Sequence, residues 1–178
     1  MAPPSCSHCS TFVNSPIPTP GTITHTASTS PETLAAARLP GLPDVLGALE
    51  RGTLAPHAFD HRAHVFAAWA AMRLYGLDEG ATRFRHALRC YCGHLKADDK
   101  YHVTITEALL KLIALYLPDD AGQHLRWQQQ WRRFEQRAAR LMLSSRDALS
   151  HHYSEGLLAQ ESSRQAFIAP DRLPLAAR

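Results

Sequence analysis

The sequence predicts an all-α protein, a compact bundle of about five to six helices with short loops behind a Pro/Ser/Thr-rich N-terminal tail. Three observations predict it. The stretches 57–117 and 119–169 contain no proline, so nothing interrupts a helical hydrogen-bond ladder in either. The most apolar run, Val65-Phe66-Ala67-Ala68-Trp69-Ala70-Ala71-Met72, is rich in alanine, which favours helix over strand. Trp127, Trp131, Phe134, Ala138 and Leu141 recur at helical intervals, with Arg126, Arg133, Arg137 and Arg140 on the other face.

Pro43 to Arg51 reads as a short first helix. Phe59 to Tyr75 is apolar nearly all round, the mark of a central buried helix, and Gly76 supplies its stop. Glu79 to His94 follows, with Phe84, Leu88, Tyr91 and Leu95 on one stripe. Asp98 or Asp99 is placed to cap what comes next. Val103-Thr104-Ile105-Thr106 alone would suit a strand, but the apolar run on to Leu117 is too long for one and carries no turn signal. The whole stretch from Tyr101 is therefore read as helix. Ala121 to Leu143 is an amphipathic helix, and Trp69, Trp127 and Trp131 all read as core. Short helices are expected near 147–152 and 156–167, and the stretch 170–174 is extended.

The chain has 178 residues, which suits one domain over 37–178 behind a tail over 1–36. Nineteen of the first 33 residues are Pro, Ser or Thr, and the first charged side chain is Glu32. Such a segment buries too little apolar surface to offset its ordering entropy. It lacks the pattern of a secretory or transit signal, so a cytoplasmic protein with reduced thiols is expected. Cys6, His8 and Cys9 form a small zinc-ligand-like cluster there, with His25 the only further ligand nearby. A closed site usually needs four ligands, often with a second paired cluster, and this segment has no framework to hold them, so free thiols are the simpler reading. Cys90 and Cys92 sit two apart on a helix and point in nearly opposite directions. A formal charge of +3 demands neither a nucleic acid nor a membrane partner. The arginine-rich face of 121–146 does not interleave aromatics for base stacking, so nucleic acid is not expected. No apolar run is long enough to span a bilayer. Glu107 and Lys111 are spaced as an i,i+4 surface pair.

The eleven histidines are the sequence's main chemical signal. In an up-down bundle, the start of helix 59–75, the end of helix 79–94 and the start of helix 101–117 share one end. That end would gather His57, His61, His64, His94 and His102, with His151 and His152 close by. His61 and His64 form H-x-x-H on one helix face. With His102 they make a candidate metal set for Zn or Fe, or a candidate acid–base set, and Asp60 and Glu107 are the nearest carboxylates. The two helix N-termini favour an anion instead, and Arg62 and Lys100 add to that field. Tyr101, Thr104 and Arg62 are candidate substrate-binding residues. The bland reading is that these histidines satisfy helix ends.

The segments Phe59-Asp60-His61-Arg62-Ala63-His64-Val65 with Ala68-Trp69, Lys100-Tyr101-His102-Val103-Thr104-Ile105-Thr106, Tyr153-Ser154 with Leu157, and Phe167 to Leu175 together resemble a family of small bacterial proteins that has no established activity. The resemblance covers roughly residues 56–175 and implies a bacterial source and one domain. The family's pattern often has Glu after the Tyr-His pair, where this chain has Val103. Three functions stay open. One is an enzyme acting on a small molecule in a histidine-lined metal or anion pocket. The second is a non-catalytic helical module binding an anionic ligand or a partner protein. The third is a purely structural role for the histidines.

Overall fold

The computed structural model describes residues 41–117 and 125–175. The Cys6–Cys9 cluster, His25 and the tail boundary at residue 36 lie outside them. The described residues form eight α-helices and no strand. They are α1 (Val45–Glu50), α2 (His61–Tyr75), α3 (Leu77–His94), α4 (Val103–Tyr116), α5 (Trp127–Arg137), α6 (Ser145–Leu149), α7 (Glu155–Leu158) and α8 (Glu161–Gln165). Single 3-10 turns at Pro56–Ala58 and Asp98–Lys100 lead into α2 and α4. None of these helices is long and apolar enough to cross a membrane.

The expected order of elements holds and several limits move. Asp60, expected inside α2, is its N-cap and accepts the Ala63 N–H at 2.8 Å. α2 is buried from Val65 through Met72, save half-buried Phe66, as its apolar circumference predicts. Gly76 ends it at φ 90°, a conformation that disfavours any side chain. α3 then folds back on α2, the most extensive helix pair among the described residues. A Cβ at Gly80 would lie 2.5 Å from the Ala71 carbonyl oxygen and from the Met72 Cα, so only glycine permits this approach.

Neither Asp98 nor Asp99 caps α4. Those residues form their own 3-10 turn, and the cap is His102, whose Nδ1 accepts the Ile105 N–H at 3.3 Å. α5 is shorter than the amphipathic pattern suggests. It runs from Trp127 to Arg137, and the chain continues to Leu143 in turns that still bury Ala138 and Leu141. The reason is tertiary: Leu141 turns its carbonyl to His61 at 2.7 Å instead of into a helical ladder. Buried Gln130 ties α5 to α2, accepting from Arg73 at 2.7 and 3.0 Å and donating to the Leu125 carbonyl at 2.7 Å. Phe66, Trp69, Trp131 and Phe134 stack edge and face between the two helices, with ring centroids 5.0–6.4 Å apart. Cys90 and Cys92 are both buried, and the Cys90 Sγ lies 3.6 Å from His86 Nε2.

Candidate functional site

The motif residues of α4 and of the chain's last third form a clasp. His102 is buried; with Nδ1 accepting a backbone N–H, the ring proton sits on Nε2, which donates to the Leu158 carbonyl at 2.9 Å. Thr104 is fully buried. Its hydroxyl donates to the Ala166 carbonyl at 2.7 Å and accepts the Ile168 N–H at 3.1 Å. Tyr153, also buried, donates to the Ile168 carbonyl at 3.0 Å. The Asp171 carboxylate accepts the Ser154 N–H at 2.8 Å, and hydrogen bonding to Ser154 holds its pKa below the usual carboxylate value. His152 Nδ1 lies 2.9 Å from the Leu173 carbonyl, and the Arg172 and Leu173 N–H groups bond back to His152 and His151. Thus the Tyr-His-x-Thr, Tyr-Ser and Asp-Arg-x-Pro segments, far apart in sequence, hold residues 166–173 against α4 and α6.

The histidines divide among local partners. His61 donates to the Leu141 carbonyl at 2.7 Å, and His94 Nε2 lies 2.8 Å from the Glu50 carbonyl. His57 and His151 are exposed. His64 is half-buried with its ring between Phe59, stacked at 5.4 Å, and Phe84, edge-on at 5.1 Å. Burial first, and the neighbouring His61 second, lower its pKa to about 4, so it is neutral at pH 7. His61, His64 and His102 do not form a three-ligand set: among the described residues no group of three or more His, Cys, Asp or Glu could hold a metal ion. The carboxylates expected nearby are committed elsewhere. Asp60 caps α2, and Glu107 pairs with Arg85 of α3 at 2.6 Å instead of with Lys111. The Lys111 ammonium lies over the Phe167 ring at 5.6 Å.

Tyr101 is half-buried beneath the Arg89 guanidinium, 4.8 Å from its ring. Its hydroxyl is buried, and that burial raises its pKa, with Arg89 opposing and Glu107 adding. Lys100 is exposed beside Asp99 at 3.9 Å.

One predicted residue lies on a substantial recess. Arg62, on the first turn of α2, faces α5 across an open groove of about 540 Å³. Phe66, Trp127 and Trp131 supply its aromatic surface, and Asp60, Arg62, Arg132 and Glu135 its charges. Pro43 and Ala58 also line it. Arg62 bonds Glu135 through Nη2 at 2.5 Å and Nε at 2.8 Å, with its guanidinium 5.9 Å from the Trp131 ring centre. Two cations and two carboxylates leave the groove close to neutral. Trp127, expected in the core, is only half-buried and forms part of this wall, and its indole Nε1 has no hydrogen-bond partner among the described residues. The groove escaped sequence reading because its halves lie about 60 residues apart. The only local signal was an aromatic, Trp127, placed where the stripe meets the arginine face. No family model, no curated protein and no solved structure matches the chain.

Proposed function

We propose that this protein is a non-catalytic helical binding module whose α2–α5 groove takes an extended, proline-containing segment of a partner protein. The single observation that carries the reading is the aromatic trough of Phe66, Trp127 and Trp131, open to solvent and rimmed by balanced charges. Aromatic-lined grooves suit polyproline II segments, because prolyl rings pack flat on indoles and the ligand is already ordered when free. The volume is that of an ordinary ligand site. An anionic ligand is the less suited occupant, since Glu135 already neutralises Arg62. The histidine-lined enzyme pocket lacks comparable support, because His61 and His102 each commit a ring nitrogen to a main-chain carbonyl.

The test is titration of a Pro-x-Pro-x-Pro peptide into the full chain to millimolar concentration, followed by tryptophan fluorescence. Saturable binding is expected, weakened at least about tenfold by Trp127→Ala, in keeping with loss of an aromatic anchor. Absence of binding, or equal affinity in the Trp127→Ala protein, overturns the reading. Stabilisation by inorganic phosphate that depends on Arg62 would favour the anionic ligand.

A further inference from the structure

The chain carries its own candidate for the groove. Pro16, Pro18 and Pro20 alternate within residues 16–20, a Pro-x-Pro-x-Pro pattern, and no Asp, Glu, Lys or Arg occurs before Glu32. We propose that residues 16–20 occupy the α2–α5 groove in cis, so that the module is self-blocked and opens to a partner segment by exchange. The inference rests on the preceding reading of the groove.

Three observations carry it. First, the described chain begins at Gly41, and Pro43 is itself a groove residue, so the N-terminal segment is tethered at the rim of the site. Second, reach is ample: the 22 residues between Pro20 and Pro43 can span up to about 70 Å when fully extended. Third, charge is matched. The groove carries two arginines and two carboxylates, with Arg62 paired to Glu135, and an uncharged segment demands no desolvated counter-ion. Tethering sets a millimolar effective concentration, so even a weak intrinsic affinity keeps the site largely occupied.

The experiment compares the native full chain with a full-length Pro16→Ser/Pro18→Ser/Pro20→Ser protein, and adds a synthetic peptide of residues 12–24 to each. None of the substituted residues lines the groove, so both proteins keep its walls. Removing the cis competitor is expected to tighten binding of the added peptide about tenfold, and Trp127→Ala in the triple variant is expected to abolish that gain. Equal affinity for both proteins overturns self-blocking while leaving the groove as a peptide site. Binding to neither protein overturns self-blocking and the peptide-binding reading together.

Discussion

The His102 imidazole bridges two parts of the chain, accepting the Ile105 N–H at 3.3 Å and donating to the Leu158 carbonyl at 2.9 Å. One ring thereby caps α4 and seats the turn between α7 and α8. His102→Ala removes the cap and leaves the Leu158 carbonyl without this donor, an expected loss of about 2 kcal/mol. His102→Asn keeps a capping side chain and should recover about half of that. Urea unfolding measures both, and equal stability of all three proteins would contradict the structural role.

Thr104 couples α4 to the C-terminal segment through a donor and an acceptor on one hydroxyl. Thr104→Val keeps the shape and orphans both backbone partners, with an expected cost of about 2–3 kcal/mol. Thr104→Ser should cost less than about 1 kcal/mol. Amide exchange at Ile168 should quicken in the valine protein and not in the serine protein.

His64 imposes a pH dependence. Its folded pKa of about 4 lies below the ordinary histidine value near 6.5, so between these limits the unfolded chain binds the extra proton. Stability therefore falls as pH drops from about 6.5 to about 4, by roughly 2–3 kcal/mol from this residue, and is fully present above that window. Urea midpoints measured from pH 4 to 8 should show the slope, and His64→Phe should flatten it. An unchanged slope in that variant would locate the effect elsewhere.

Gly80→Ala gains helix propensity of about 1 kcal/mol yet places a methyl group against α2 backbone. Forcing the two helices apart costs about 1–3 kcal/mol more than that gain. A lowered Tm is the expected result, and a raised one would show that the helices separate freely.

The helical class and the order of the main helices were legible because proline spacing, alanine content and apolar period are local signals. Glycine at position 76 was legible for the same reason. What failed required knowing which distant carbonyls lie nearby. His102 outcompetes two aspartates as a cap because it also reaches Leu158, and Glu107 chooses Arg85 on another helix over Lys111 on its own. The gathering of histidines at one bundle end assumed parallel tasks for side chains that the fold assigns separately to Leu141, Leu158, Glu50 and Leu173. Motif residues that look like a pocket in sequence thus hold the C-terminal segment, while the recess forms where Arg62 meets α5.

The central claim is that ligands enter between α2 and α5 and not at the histidines. Indole N–H resonances in a nitrogen–proton NMR spectrum of the full triple-proline variant, recorded with and without the peptide of residues 12–24, test it most directly. The Trp127 and Trp131 signals should shift progressively while buried Trp69 and the backbone amides of His102 and Thr104 stay fixed. Shifts centred on His102 and Thr104, with Trp127 and Trp131 unmoved, would contradict the account.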